Sequence, residues 1–394
     1  MIRWFAGIHI STDCRRIDAA MVGIHGRGDA VPIECRKTMS FDLPDEVVSC
    51  FDPNKPNSQF VRLVDELAEV EEEALLELIA ESRVPADELI AVGIQDRGIW
   101  DIDVAGRLYR PLSCSDILAE RTGISVIDSF SARDIVCGGL GGPLFPFPAW
   151  IVLCNENSDR VLIDLGKTAR LTFLPKPDHA TAYENIDYRD IVPSGELLDE
   201  LTRILTRGKT TVDFGGLMTV QGKHIPELLG RCKELNSTIP KPAWSPFGLS
   251  PEPYLRFVTE MSVVNKWAVS DVLCTISYFI ADKVASAIEE HYPKNSTELV
   301  FSGGGCRNGL LLNQLGKRLG GWSIKQIQDC GVSIEAFDAV CVAILAFLFV
   351  DQIPAGITKI TGANQAKSLG RLTPGSQQNW NRLIGEIRCS TRVG

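Results

Sequence analysis

The chain of 394 residues contains no C-x-x-C pair and no H-x-x-x-H pair, although it carries 12 cysteines and five histidines. Without such spacing neither a zinc ribbon nor a metal site on one helix face is readable. Cys154, Cys274 and Cys341 lie inside apolar runs and read as buried thiols of a reducing compartment, not as a disulfide framework. Basic residues are also short. The 40 Lys and Arg against 50 Asp and Glu leave a formal net charge of −10, which speaks against nucleic acid or an anionic membrane as the main partner. The apolar run Ala343–Val350 is bounded within about a dozen residues and reads as a core helix rather than a membrane span. Met1-Ile2-Arg3-Trp4-Phe5 lacks the length and flanks of a signal peptide. A cytoplasmic protein is the expectation by elimination. Hydrophobic residues at 45% and charged residues at 23% are ordinary for a globular protein, and the length favours two domains.

What is present is a pattern that occurs twice. Three strand-like runs, Arg3 to Ile10, Asp18 to Ile24 and Ala30 to Thr38, are separated by polar or glycine turns. The pattern returns at Trp150 to Cys154, Arg160 to Asp164 and Ala169 to Leu174, again with polar turns, one of them Gly166-Lys167. Helical segments follow each triple. Phe60 to Ile79 places Phe60, Leu63, Val64, Leu67, Val70, Leu75, Leu78 and Ile79 on one face, with Glu69, Glu71, Glu72 and Glu73 read as a solvated outer face. Val272 to Ile288 is a strongly apolar helix. The glycine- and proline-dense stretch from Gly138 to Pro148 suits a hinge or a tight crossing between domains, and equally an irregular loop.

After the apolar run Glu298-Leu299-Val300-Phe301 comes Ser302-Gly303-Gly304-Gly305-Cys306-Arg307-Asn308, and then the helix-like Leu310 to Leu315. A strand that ends in three glycines and opens a helix brings bare backbone up to a flat or anionic ligand. No Gly-Lys-Ser/Thr follows the triplet, and the spacing of a dinucleotide fingerprint is missing. A plain tight turn fits the triplet alone as well.

Taken together, three strands followed by helix–strand units, twice over, resemble the actin-like ATPase and sugar-kinase fold, in which a strand–GGG–helix of this kind holds the adenosine of ATP. The expected fold class is therefore α/β, with duplicated actin-like (ribonuclease H-like) domains at 1–147 and 148–394 and a ligand cleft between them. The last helix is a candidate to pack back on the first domain. Within that fold the chain resembles the anhydro-N-acetylmuramic acid kinases through nearly all of its length. The central segment carries most of the likeness: Leu118 to Val126 with its Thr122-Gly123-Ile124, then Asp134-Ile135 and Gly138-Gly139-Leu140-Gly141-Gly142-Pro143-Leu144. Asp271-Val272 with Thr275, Ile360-Thr361-Gly362-Ala363 and Leu369-Gly370 extend it.

The resemblance implies an ATP-dependent enzyme that opens the 1,6-anhydro ring with water and phosphorylates O6, a step of amino-sugar recycling. Such chemistry needs a base, backbone that cradles phosphate, a magnesium position and sugar contacts. The family's Asp-Thr-Gly-Pro-Gly-Asn-x-Leu-x-Asp lies over Asp190 to Asp199, so Asp190 falls on the catalytic carboxylate, with a helix cap or turn residue as the other reading. The family's Ser-Gly-Thr-Ser-Leu-Asp-Gly-Ile-Asp lies over Ile10 to Asp18. Ser11, Thr12 and Asp13 are the ATP-side candidates there, although Ser11 replaces a glycine and Asp13 adds a carboxylate that repels phosphate. Arg15 and Arg16 read as surface arginines or as new phosphate contacts. Family Asn-x-Gly-Gly-Ile-Ala-Asn-x-Thr is here Asp164 to Thr172. It keeps Gly166 and replaces the next glycine by Lys167, a point charge for phosphate on a stiffer turn. Gly303, Gly304, Gly305 and Asn308 complete the nucleotide set. Asp164 or Asp13 are the candidates for approach to Mg2+, which is expected only if ATP binds productively.

On the sugar side the family's motifs are rewritten to Gln95-Asp96-Arg97-Gly98, Pro111-Leu112-Ser113-Cys114, Ser129-Phe130-Ser131 and Phe247 to Glu252. Arg97 and Glu252 are the remaining substrate-side candidates. Asp213-Phe214-Gly215-Gly216 and Gly222 keep the family's scaffold spacing. The resemblance further implies a sugar-sized substrate and a homodimer. Rewritten loops leave open a non-catalytic relative that binds nucleotide, sugar or a partner, or a kinase for a different sugar.

Overall fold

The computed structural model describes residues 2–11, 14–28, 31–50, 57–103, 106–179, 181–240, 242 and 244–390. The chain divides into two compact units, residues 1–153 with 331–394 and residues 154–330. The expected single cut at 147/148 leaves 331–394 with the second half, whereas these residues cluster with the first.

In the first unit β1 (Ile2–Ile10), β2 (Arg16–His25) and β3 (Ile33–Asp42) form an antiparallel meander. β4 (Leu89–Gln95) then joins β1 in parallel. β5 (Ile99–Asp103) and β6 (Gly106–Arg110) make a separate hairpin, and β7 (Val126–Asp128) runs parallel to β4. The sheet order is β3-β2-β1-β4-β7, with the strand Arg371–Thr373 antiparallel at the far edge. Strands one to four and the next thus stand 3-2-1-4-5. β1 and β4 are buried along nearly their whole length, as strands covered on both faces must be.

One of the covers is the Phe337–Val350 helix, in which only Asp338 and Phe349 escape full burial. It lies so close to β1 that a Cβ on Gly7 would stand 2.0 Å from the Ala339 carbonyl oxygen. Glycine there is what allows helix and strand backbones to touch.

The second unit repeats the order. β8 (Asp159–Leu165), β9 (Thr168–Leu174) and β10 (Asp187–Pro193) are antiparallel neighbours, and β11 (Thr297–Ser302) and β12 (Ser323–Gln326) add in parallel, giving β10-β9-β8-β11-β12. The same 3-2-1-4-5 order in both units is the duplicated ribonuclease H-like, actin-like topology that the sequence led us to expect. Its core gathers Val161, Ile163, Leu171, Val192, Leu197, Phe279 and Leu299 under the Val269–His291 helix.

Three local expectations need correction. Trp150–Cys154 is not a strand; Pro146–Leu153 is a helix, buried at every position except Val152. An apolar run so short carries no usable periodicity, and Pro146 and Pro148 fall in the first turn, where a missing N–H costs nothing. The third strand of the second meander is instead β10, which the sequence reading treated as a catalytic loop. Glu71 is not on a solvated face: it is fully buried, while Glu69 and Glu73 are exposed.

No helix among the described residues is long and apolar enough to cross a membrane. The cysteines with described side chains are all free thiols.

Replacing Gly7 by Val forces the Phe337–Val350 helix off β1. We expect a loss of about 3 kcal/mol, the upper end for overpacking, read as a lower urea midpoint in equilibrium unfolding.

Candidate functional site

Three adjacent strands of the second unit place a row of charges side by side. Arg170 on β9 stands directly opposite Asp164 on β8 and directly opposite Asp190 on β10. Its Nε donates to Asp190 Oδ1 at 3.0 Å, and its Nη1 lies 3.7 Å from Asp164 Oδ2. Tyr188 donates its hydroxyl to the same Asp190 Oδ1 at 2.9 Å. The Asp190 side chain is only 4% exposed, and its Oδ2 is buried without a hydrogen-bond partner among the described residues. The ladder slips by one residue just after Asp190, and such a bulge re-aims side chains at functional edges. Burial alone would lower the Arg170 guanidinium, but Tyr188, Asp164 and Asp190 hold it above its ordinary value. Burial pushes the Tyr188 phenol well up, so it stays a donor. Asp190 therefore sits in a strand under two donors, and is neither a helix cap nor a surface turn residue.

The turns around this row are hooked to one another. Ser194 N donates to the Lys167 carbonyl at 2.7 Å and Gly195 N to the Gly166 carbonyl at 2.9 Å, which fastens the Asp190 segment to the Gly166-Lys167 turn. The Ser194 hydroxyl is buried and, like Asp190 Oδ2, has no partner among the described residues. From the other side comes the glycine triplet, at the end of β11, whose Ser302 pairs with Asp164. Gly303 has φ +86°, and a Cβ on it would lie 2.4 Å from Asp164 Oδ1. A Cβ on Gly304 would meet nothing within 4 Å, so the middle of the triplet faces open space. Asn308 caps the Gly309–Arg318 helix, its Oδ1 accepting from Leu311 N at 3.1 Å. Cys306 follows the triplet; burial raises its thiol to about 12, which makes it inert.

The 247–252 segment folds over the same row. Leu249 N donates to Thr168 Oγ1 at 2.9 Å, and a Cβ on Gly248 would lie 3.5 Å from Arg170 Nη2. Glu252 opens the Glu252–Asn265 helix and is exposed. Asp213 accepts from Met218 N, Thr219 N and the Thr219 hydroxyl at 2.6–2.9 Å, so the retained Asp213-x-x-Gly216 turn is scaffolding.

In the first unit, Ser11 N donates to the Arg16 carbonyl at 2.9 Å, and the Ser11 hydroxyl accepts from Arg16 N at 3.0 Å. Ser11 thus spends its own N–H and hydroxyl on Arg16 across the β1–β2 turn. Thr12 and Asp13 lie outside the described residues. Arg97 reaches Cys14 Sγ at 3.7 Å.

Its neighbour Asp96 is a hub that sequence reasoning missed. Asp96 accepts from the Tyr109 hydroxyl at 2.7 Å and from Leu112 N and Ser113 N at 2.5 and 2.6 Å. The Ser113 hydroxyl then donates to Glu71 Oε1 at 2.5 Å. The rewritten segments 95–98 and 111–114 therefore satisfy one another. Burial raises both acids, Glu71 to about 8. The hydrophobic periodicity that put Glu71 on the wet face held no signal for Ser113, whose hydroxyl lies 42 residues away along the chain.

A protein-held magnesium ion does not fit this donor set. No three His, Cys, Asp or Glu converge among the described residues, and the one suitable pair, Asp164 and Asp190, has a guanidinium between its members. Two surface depressions, of about 370 and 550 Å³, are lined by residues such as Thr122 and Arg382, or Phe41 and Glu77. Neither contains any residue of the row.

Residues 4–375 match the family model described as anhydro-N-acetylmuramic acid kinase. A protein of that name from Caldanaerobacter subterraneus subsp. tengcongensis is 26% identical over 389 residues, 94% of this chain and 97% of its own. Another from Streptomyces avermitilis is 31% identical over 69% of this chain and 67% of its own. Among solved structures, component A of (R)-2-hydroxyglutaryl-CoA dehydratase from Acidaminococcus fermentans covers 87% of this chain and 97% of its own at 13% identity, with a TM-score of 0.43. The sequence matches carry the placement: the chain belongs to the anhydro-N-acetylmuramic acid kinase family.

Two outcomes test the buried acids of the first unit. Asp96→Ala leaves three donors unmet and lowers stability by about 3–4 kcal/mol in chemical denaturation. Glu71 binds its proton more tightly folded than unfolded, so its contribution is complete below an ordinary value of 4.5 and is lost as pH rises through about 8. Wild-type stability therefore falls between about pH 5 and 9, and Glu71→Gln flattens that fall, as urea midpoints across the range would show.

Proposed function

We propose that this family member is an ATP-dependent sugar kinase that acts on 1,6-anhydro-N-acetylmuramic acid or a close relative. The observation that carries the reading within the site is Asp190: one carboxylate oxygen is pinned by Arg170 and Tyr188, and the other has no partner. A general base needs a fixed orientation and one unspent acceptor. In the proposed step Asp190 Oδ2 takes a proton from water while the water oxygen bonds to C1. The C1–O6 bond breaks, and O6 takes the γ-phosphoryl of ATP, giving ADP and the 6-phosphate. Gly303, Gly304 and Gly305 offer bare backbone to the nucleoside, and Gly166 and Lys167 stand where phosphate would pass. No step is routed through magnesium, which enters this reading only as a counter-ion carried by ATP. Arg97 and Glu252 remain the sugar-side candidates, and a homodimer in the cytoplasm belongs to the same proposal.

A second reading draws on the same atoms. A base that is 4% exposed and ion-paired to Arg170 suits a protein that binds nucleotide or sugar without turning it over.

The test is ATP binding by calorimetry, followed in the same sample by phosphoryl transfer to 1,6-anhydro-N-acetylmuramic acid. We expect binding with turnover, and a fall of about 100- to 10,000-fold in Asp190→Asn. Binding with no turnover would favour the second reading. No ATP binding would overturn both nucleotide readings.

A further inference from the structure

Arg170 holds a place where this sheet could offer a divalent ion two carboxylates. Asp164 and Asp190 are its cross-strand neighbours on either side, and its nitrogens lie 3.7 and 3.0 Å from their oxygens. In the family's pattern positions 164 and 170 are both asparagines, so this chain carries an added acid together with an added base. Magnesium requires oxygens at about 2.1 Å in near-octahedral array and is usually held by one or two carboxylates with phosphates and water. Here the two negative charges already share one positive charge, and a second donor, the Tyr188 hydroxyl, occupies the same Asp190 oxygen. Any cation entering between the acids meets a guanidinium at contact distance in a site that is mostly buried.

We propose that Arg170 is a built-in cation that replaces a protein-bound divalent ion: it neutralises Asp164 and Asp190 in the resting protein and offers its exposed quarter to the phosphates of a nucleoside triphosphate. The row is the same whether or not a sugar is phosphorylated. Only the phosphate ligand rests on the kinase reading. A guanidinium is planar, permanently charged and rich in donors, which suits it to bridge two carboxylates and still present N–H groups to an anion. Arg170 is thus a specificity-determining residue for the charge state of the ligand.

The consequence is a protein whose own acids recruit no metal until Arg170 is removed. The first measurement is Mn2+ binding followed by electron paramagnetic resonance, with no nucleotide present. Wild-type protein should show no site tighter than about 1 mM, whereas Arg170→Asn should acquire one at least about tenfold tighter, lost again on adding Asp164→Asn. Arg170→Lys keeps the charge and should stay metal-free; circular dichroism shows that each variant is folded. The second measurement is ATP titration with EDTA present. Wild type should bind, Arg170→Asn should bind at least about tenfold more weakly, and Arg170→Lys should fall between.

A wild-type Mn2+ site tighter than about 100 µM that disappears in Asp164→Asn overturns the proposal outright. Should Arg170→Asn fail to fold, that wild-type comparison still decides. Metal-free ATP binding unchanged in Arg170→Asn overturns the phosphate half. If ATP fails to bind wild type with or without Mg2+, the kinase reading fails, and with it the phosphate half; the Mn2+ result still judges the cation half.

Discussion

The row Asp164–Arg170–Asp190 is the constraint on which the second unit's candidate site depends. It exists only because β9 lies between β8 and β10 in one register, since a slip of one residue would turn Arg170 to the other face. Register is enforced on both sides. The apolar partners Ile163↔Leu171 and Leu165↔Ala169 fix β8 against β9, and the pair of hydrogen bonds from Ser194 and Gly195 to the Lys167 and Gly166 carbonyls fixes the end of β10. The glycine triplet then closes on Asp164, and the 247–250 segment closes on Thr168 and Arg170. Asp190, the Gly166-Lys167 turn and the glycine triplet are therefore held together by one ion-paired row.

A buried charge pair rarely adds much net stability, because desolvation offsets attraction, yet losing one partner is costly. That asymmetry explains how such a row persists once formed. With an asparagine at position 170 alone, Asp164 and Asp190 would face each other across a neutral strand without the charge they now share. With arginine they share one counter-charge, and removing it alone would leave both carboxylates without that charge. The first unit shows the same coupling among neutral and acidic groups. Asp96 is useful only because Tyr109, Leu112 and Ser113 aim three donors at it. Loops that look eroded one at a time are thus mutually fitted, which speaks for a remodelled site over a decaying one.

Topology was legible in the sequence because it is written in alternation and turns. The first meander, two strands of the second, the Val269–His291 and Phe337–Val350 helices, and the strand into the triplet all follow from apolar spacing. The short run at Trp150 misled because burial on every side erases periodicity. Glu71 misled for the converse reason: a single buried acid inside a run of four charged positions looks like its neighbours until Ser113 is seen beside it. Asp190 was found through its neighbours in sequence, Pro193, Leu197 and Asp199. Arg170 and Tyr188 were not found, since strand register, which sets Arg170 opposite Asp190, is not recorded in either strand alone.

As the proposed base, Asp190 must meet two demands that pull against each other. A base needs to be held still, and burial with two donors does so. It also needs contact with the proton it removes, and burial prevents that in the resting state. The unpaired Oδ2 and the nearby unpaired Ser194 hydroxyl mark where the conflict is stored, because a buried polar atom without a partner costs about 1–3 kcal/mol. A ligand that brings a hydroxyl or a water to these atoms recovers that cost on binding. Arg170 stands at the boundary of the same site, a quarter exposed, and an anion drawn to its open side weakens its hold on Asp190. In the proposed reaction one guanidinium would thus be shared between the carboxylate it orients and the phosphates that arrive beside it, while the Tyr188 hydroxyl keeps Asp190 in place.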